Sequence, residues 1–162
     1  MGYTTDFIGS FKLSSVLTFD QVNYLRNFSE TRRMSRHSNK LLNVPDPIRK
    51  AVNLPLGEEG EYYIGNKGDN FGQNHDESII DYNEPPKTQP GLWCKWTVGK
   101  DNQSIEWDGC EKFYHYKEWL EYIIDNFLKP WGHTLNGIVE YQGEDPDDSG
   151  EITVTNNIVT MD

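Results

Sequence analysis

The stretch 105–132, IEWDGCEKFYHYKEWLEYIIDNFLKPWG, has the clearest secondary-structure pattern in the chain. At roughly 100° per residue, one face of a predicted helix collects apolar side chains, namely Phe113, Tyr116, Leu120, Ile123, Ile124 and Phe127. The opposite face collects Glu111, His115, Glu118, Tyr122 and Asp125. Pro130 and Gly132 end the helix, since neither residue continues a helix well. The pattern therefore predicts a helix that packs its apolar face into the core.

Strand patterns surround this helix. Alternating or short apolar runs predict strands at 2–13, 61–65, 92–98, 104–108, 134–142 and 151–155, with 79–83 as a candidate for a further short strand. Asn156-Asn157 is a turn signal before 158–162. A second helix is predicted from Thr18, because Thr18 and Gln21 have the spacing of a capping box. Consecutive hairpins with two separated helices favour an α+β fold. We expect a mainly antiparallel sheet of about five to six strands, with the two main helices packed on one face.

The length of 162 residues suits a single domain over 1–162. Within it, residues 35–60 change character, because prolines and glycines interrupt a mixed stretch at Pro45, Pro47, Pro55, Gly57 and Gly60. Such punctuation is typical of irregular structure. We interpret 35–60 as an irregular insertion into the domain rather than as a domain of its own.

Charge limits the classes of partner. The formal net charge of -11 and the isoelectric point near 4.7 argue against direct nucleic-acid binding, which needs cations to displace phosphate counterions. No apolar run is long enough to predict a membrane span. Cys94 and Cys110 form no CxxC pair, and we expect both to be reduced thiols of a cytoplasmic protein.

The acidic loop 143–152, GEDPDDSGEI, partly matches a calcium-binding loop. Asp145, Asp147 and Ser149 occupy positions 1, 3 and 5 of that pattern. Position 12 is Asn156 instead of the bidentate glutamate, and strands rather than helices are predicted on either side. A solvated hairpin loop without a cofactor is the favoured interpretation, and a weak Ca²⁺ or Mg²⁺ site is the alternative. With Asp148 added, the same loop is the basis for a third hypothesis, a metal-assisted phosphoesterase.

A basic cluster and a group of aromatic residues suggest a small-ligand site. Residues 26–40 have a charge sum of +4 against the acidic background. Arginines there can bind a phosphate-bearing, nucleotide-like molecule, and tryptophans can stack on its base. The candidate residues are Arg32, Arg33, Arg36, Trp93, Trp96 and Trp107. The competing interpretation is that the arginines are solvated or compensate a helix dipole, and that the rings form the core.

Five motifs resemble those of one protein family: GYTTDF (2–7), FSETRRM (28–34), IIDYNEPPKTQPGLWCKW (79–96), WDGCEKFYHYKEWLEYII (107–124) and YQGEDPDDSGEI (141–152). Together they resemble a family of small, uncharacterised proteins from bacteriophage genomes and prophages. The resemblance implies a phage accessory protein that acts in the host cytoplasm. It implies no established reaction, and no catalytic residues are carried over from it.

The leading functional hypothesis is a non-enzymatic phage protein that binds and modulates a host protein, with counter-defence as one form of that role. No GxSxG, HExxH or Walker pattern is present in the sequence, so no catalytic residue is predicted. A nucleotide-like ligand binder and the metal-assisted phosphoesterase are the alternatives.

Overall fold

The computed structural model describes residues 2–66 and 74–162. The chain divides into two units: Met1–Leu17 with Lys95–Asp162, which we call the sheet unit, and Thr18–Cys94, which we call the second unit. The expected single domain with an insertion at 35–60 stays a prediction. The whole of 35–60 belongs to the second unit.

Helices and strands occur in both units. In chain order they are β1 (Thr5–Leu13), α1 (Phe19–Glu30), β2 (Ser35–Arg36), α2 (Ser38–Leu41), α3 (Pro47–Ala51), β3 (Ile79–Asp81), β4 (Trp96–Val98), β5 (Ser104–Trp107), α4 (Tyr116–Ile123), β6 (Leu135–Gly143), β7 (Ser149–Thr155) and β8 (Ile158–Met161). A 3-10 turn at Glu58–Gly60 follows α3, and a π-helical turn at Ile124–Leu128 continues α4.

The sheet unit is built on a six-stranded antiparallel sheet in the order β4-β5-β1-β6-β7-β8. The long central pair β1 and β6 is in register from Thr5 opposite Gly143 to Leu13 opposite Leu135. Hairpins join β4 to β5, β6 to β7 and β7 to β8. The predicted α+β class with an antiparallel sheet is confirmed.

One face of the sheet forms the core of this unit. Phe11, Val139 and Ile152 are fully buried on it, as alternation with period two requires. The start of α4 packs there, since the rings of Phe7 and Tyr116 lie 5.0 Å apart and the indole of Trp96 donates a hydrogen bond to the Tyr116 carbonyl at 2.8 Å. The aromatic residues therefore provide most of the bulk where the chain is poor in aliphatic residues.

Helix α4 differs from the prediction in two ways. It begins at Tyr116, so Phe113 is buried in the segment before the helix instead of on its first turn. Tyr122, which was placed on the face opposite the core, is buried, with its ring 5.5 Å from Trp119 and 5.9 Å from Phe127. A 100° wheel misplaces it, because two large rings beside it widen the buried arc beyond the stripe of aliphatic residues.

The second unit opens with the predicted helix. At the start of α1, the Thr18 hydroxyl accepts from the Gln21 amide and the Gln21 side chain accepts from the Thr18 amide. The predicted capping box is confirmed, and it satisfies two main-chain donors that a helix start leaves open.

The predicted strand at 61–65 is wrong, since no strand forms there. Side chains take over the hydrogen bonds that a neighbouring strand would provide. The Glu61 carbonyl accepts from Arg33 and Gln89, and the Tyr62 carbonyl accepts from the Tyr24 hydroxyl. Buried main-chain groups need partners, and long polar side chains supply them here.

Candidate binding face of the sheet

The sheet side opposite the core is exposed, and we call it the open face. Its side chains alternate with the core residues along β1, β6 and β7, and they are Asp6, Ile8, Ser10, Lys12, Asn136, Ile138, Glu140, Gln142, Ser149, Glu151, Thr153 and Thr155. Part of this face forms a groove of about 380 Å³. The groove is lined mainly by Asp6, Ile8, Glu140, Gln142, Ser149 and Glu151.

Strand register sets the spacing of the carboxylates in the groove. Glu140 on β6 lies directly opposite Glu151 on β7, and Ile8 lies opposite Glu140 on the other side. Asp6 falls one row further along β1, opposite Gln142. Directly opposed residues on neighbouring strands have Cβ atoms about 5 Å apart, so two like charges are adjacent on the surface.

These carboxylates lack cationic neighbours. In residues 2–66 and 74–162, no lysine or arginine lies within ion-pair distance of Asp6, Glu140 or Glu151. The lysine on the adjoining part of β1, Lys12, instead pairs with Asp101 at 3.0 Å. The groove therefore carries an uncompensated negative charge.

Two isoleucines make the same face partly apolar. Ile8 is 70% exposed and Ile138 is 51% exposed. They lie diagonally across β1 and β6, because Ile8 pairs with Glu140 and Ile138 pairs with Ser10. Apolar side chains rimmed by charge are typical of a surface that a protein partner covers.

The acidic hairpin that joins β6 to β7 lies beside the groove and is held by Tyr3. The Tyr3 hydroxyl donates to Asp148 Oδ2 at 2.7 Å and accepts from the Asp145 amide at 3.1 Å. The Gly143 amide closes the loop by donating to the Asp148 carbonyl at 2.7 Å. The Asp145 amide lowers the pKa of Tyr3, but the hydrogen bond to Asp148, desolvation and the negative charges of Asp148 and Asp145 together raise it above its usual value.

The metal-ligand candidates lie in and beside this hairpin. Asp145 and Asp147 are exposed, and Asp145 Oδ1 accepts the Asp147 amide at 3.1 Å. Ser149 lies on β7 opposite Gln142. Nowhere in the described ranges do three His, Cys, Asp or Glu side chains come together in a way that holds a metal ion. The Ca²⁺ or Mg²⁺ alternative stays a prediction.

Two of the three candidate arginines are buried in the second unit, each 4% exposed. Arg33 Nη2 donates to the carbonyls of Glu61 and Tyr63, both at 2.8 Å. Arg36 Nη1 donates to Asp76 Oδ2 at 3.2 Å, and its guanidinium lies 4.9 Å from the centre of the Tyr63 ring. Both side chains thus connect segments that are distant in sequence.

Arg32 is half-buried beside them. Its Nε donates to the Tyr82 carbonyl at 3.0 Å, and its guanidinium lies 4.3 Å from the centre of the Tyr82 ring. The cavity lined by the three arginines measures about 10 Å³. That volume is close to the space for one water molecule, so a nucleotide does not fit it in this conformation.

The three candidate tryptophans are split between the units. Trp93 belongs to the second unit and is half-buried. Trp96 and Trp107 are cross-strand partners on β4 and β5, and both rings lie 5.4 Å from that of Phe7. Trp96 is 1% exposed and therefore presents no ring face to a ligand in this conformation. The nucleotide site stays a prediction. In this structure most of its candidate residues are engaged in packing and internal hydrogen bonds.

Sequence reasoning singled out the acidic loop 143–152 but did not identify the open face. Asp6, Ile8 and Ile138 were not considered as site residues. The available signal was the alternation of polar and apolar residues along β1 and β6. Knowing which residues lie side by side requires the strand register as well, and alternation alone does not provide it.

The class defined by these observations is an α+β protein with an acidic, partly apolar sheet face. Comparison of the chain with protein-family models, with curated proteins and with solved structures produced no match. No helix in the described part of the chain has the length and apolar character needed to cross a bilayer.

Proposed function

We propose that the protein is a non-catalytic binding protein whose open face docks a basic protein partner. The observation that carries the proposal is the juxtaposition of Glu140 and Glu151 without a cation, next to the exposed Ile8. Adjacent like charges cost stability in a free protein. A partner that brings lysine or arginine to them removes that cost on binding.

The distribution of charge between the units supports a basic partner. The sheet unit has six lysines against fifteen acids, which is a net charge of −9. The second unit has nine lysines and arginines against eleven acids, a net charge of −2. A field concentrated on one unit raises the association rate of an oppositely charged protein and makes it dependent on salt.

The apolar residues supply the short-range part of recognition. Ile8 and Ile138 provide exposed apolar surface that a partner can bury, while the carboxylates determine the charge and the position of that partner. Complementary charge mainly gives specificity and a fast on-rate, and desolvated apolar contacts lower the off-rate. A partner of this chemistry presents cationic side chains around a small apolar centre.

The resemblance to phage proteins extends this proposal to the identity of the partner. A phage accessory protein in the host cytoplasm meets host proteins, and we propose that the basic partner is one of them. Modulation of a host defence protein is one form of this function. Catalysis is not part of the proposal.

The test compares charge reversal on the open face with charge reversal elsewhere. The double variant E140K/E151K changes the open face, and the matched control E77K/E84K changes two exposed glutamates of the second unit. After a partner is captured and identified, its affinity for each purified variant is measured by calorimetry at two salt concentrations. We expect the open-face variant to lose at least about tenfold in affinity and the control to lose much less.

Two results would overturn the proposal. One is a captured partner without a basic surface. The other is a basic partner that binds E140K/E151K as tightly as the unchanged protein, since the open face then has no role in docking.

A further inference from the structure

Strand β8 is the last strand on its side of the sheet. It pairs with β7 over Ile158–Met161, and no further strand of the described chain follows it in the sheet order. Edge strands carry main-chain donors and acceptors that another extended chain can pair with. Prolines and lysines commonly block such pairing, and β8 contains neither.

The hairpin turn determines which groups of β8 face outward. Asn156 and Asn157 have φ values of 48° and 71°, so the two-residue turn has left-handed backbone at both positions. In such a hairpin the flanking residues Thr155 and Ile158 exchange hydrogen bonds. The same alternation of hydrogen-bonded and non-hydrogen-bonded pairs continues to the end of β8 remote from the turn, where the Asp162 amide donates to the Glu151 carbonyl at 3.3 Å.

Alternate residues of β8 therefore direct their main chain away from β7. Ile158 and Thr160 use their amide and carbonyl groups toward β7, and Val159 and Met161 direct theirs to the outer edge. Across the described chain, neither of these two amides has a hydrogen-bond partner. They are spaced as one strand requires for pairing with the next.

We infer that β8 binds an extended basic segment of the partner as a seventh strand of the sheet. This inference rests on the proposed function and specifies how the partner docks. Pairing by β-strand addition uses main-chain hydrogen bonds for affinity and alternate side chains for specificity.

Charge and exposure set the sequence of that segment. On the open side of the sheet, the added strand lies next to Ile158, which is 65% exposed, and the exposed Asp162. Glu151 lies on β7 next to Asp162, whose amide donates to the Glu151 carbonyl, so a long lysine or arginine side chain of the added strand can reach its carboxylate. The other side of the added strand lies next to Val159 and Met161 and favours apolar residues. The expected segment thus alternates cationic and apolar residues.

Charge also argues against a second copy of this chain as the occupant. Pairing β8 with another β8 brings together two sheet units that each have a net charge of −9. Repulsion between them opposes such pairing at low and moderate salt. A basic strand meets the same field as an attraction.

The probe is a synthetic, end-capped peptide of alternating lysine and valine. Its binding to the full chain is measured by NMR, together with the hydrogen exchange of the Val159 and Met161 amides. The test variant is Met161→Pro, which deletes one outward-facing N–H and leaves the pairing with β7 intact. The matched control Met161→Ala shortens the same side chain but keeps the N–H.

We expect peptide binding to slow exchange at both amides, M161P to weaken binding about tenfold, and M161A to change it by less than about twofold. Unchanged exchange at both amides, or equal effects of the two variants, overturns strand addition. Protection that appears with rising protein concentration and without peptide identifies a second copy as the occupant and likewise overturns it.

The two proposals fail in different ways. If the peptide binds with dependence on salt and on Glu140 and Glu151 but the two edge amides stay unprotected, the open face is correct and strand addition is wrong. If the amides are protected while binding ignores both salt and E140K/E151K, the edge pairs with a strand but the acidic face does not select it.

Discussion

Glu140 and Glu151 lie directly opposite each other on the open face, one on β6 and one on β7. Their carboxylates share this position without a lysine or arginine at ion-pair distance in the described chain. A sequence selected only for stability would place opposite charges there. Residue choices that lower stability in this way are concentrated at functional sites. The proposed function is therefore based on this pair.

Removing one charge of this pair should stabilise the free protein. For Glu151→Gln we expect the free energy of unfolding to rise by a few tenths of a kcal/mol, because the repulsion across the strands is lost. Urea unfolding followed by circular dichroism measures the change, and added salt should shrink it. The control Glu121→Gln removes a charge that pairs with Lys117 at 3.5 Å and should not stabilise. A lower stability of Glu151→Gln than of the unchanged protein would contradict the argument.

Removing the Asp46 carboxylate should strongly destabilise the second unit. Asp46 is 1% exposed and accepts from Arg49 Nε at 2.6 Å, from the Ile64 amide at 3.2 Å and from the Gly65 amide at 2.9 Å. Asp46→Ala leaves a buried arginine and two main-chain donors without their acceptor. We expect a loss of about 3–5 kcal/mol in unfolding free energy.

The exposed pair of Lys117 and Glu121 is the matched comparison for Asp46. Breaking it with Glu121→Ala should change the unfolding free energy by less than about 1 kcal/mol, since solvent screens such pairs. Thermal unfolding of both variants measures the contrast. Similar losses of unfolding free energy in the two variants would show that the buried contacts of Asp46 contribute no more stability than an exposed ion pair.

Stability should fall on mild acidification because of His133. Burial lowers the pKa of His133 below its usual value of 6.5. At a pH between the lowered folded-state pKa and the unfolded-state pKa of about 6.5, the unfolded chain binds a proton that the folded chain does not. The free energy of unfolding therefore decreases as the pH falls below about 6.5. Denaturant unfolding from pH 7.5 to 5.5 should show this slope, and His133→Gln should reduce it. An equal slope in both proteins would exclude His133 as its source.

The two thiols should differ in reactivity toward maleimide. Cys94 is fully buried and should stay unmodified in the native protein, while Cys110 is exposed. Burial and the Asp108 carboxylate raise the pKa of the Cys110 thiol, so its alkylation at pH 8 should be slower than in the unfolded chain.

Asp108→Asn is the informative variant for this prediction. Its side-chain oxygen can still accept the Cys110 amide, as Asp108 Oδ1 does at 2.8 Å, but its charge is gone. We expect alkylation of Cys110 to become severalfold faster, as measured by mass spectrometry over time. Modification of Cys94 at a similar rate in the native protein would contradict the burial argument.

The sequence predicted the parts of the fold that depend on local rules. The capping box at Thr18, the hairpin turn at Asn156-Asn157 and the strand alternation in β6 and β7 are each encoded by neighbouring residues. The α+β class follows from their order, and the structure confirms it. These signals need no knowledge of distant contacts.

The remaining parts depend on contacts between residues that are distant in sequence. Residues 61–65 have the composition of a strand, but Arg33 and Gln89 take their carbonyl groups as acceptors. The open face likewise becomes visible only when β1 is placed in register with β6. Neither a remote side chain nor a register can be deduced from alternation within a single segment.

The outward-facing amides of β8 give the carboxylates a second consequence, which concerns colloidal behaviour. At neutral pH, mutual repulsion between copies keeps these edges apart and protects the solution from sheet-to-sheet growth. Acidification toward the isoelectric point of about 4.7 removes that barrier while the edge stays available. Storage and crystallisation of this protein should therefore favour buffers well above that pH.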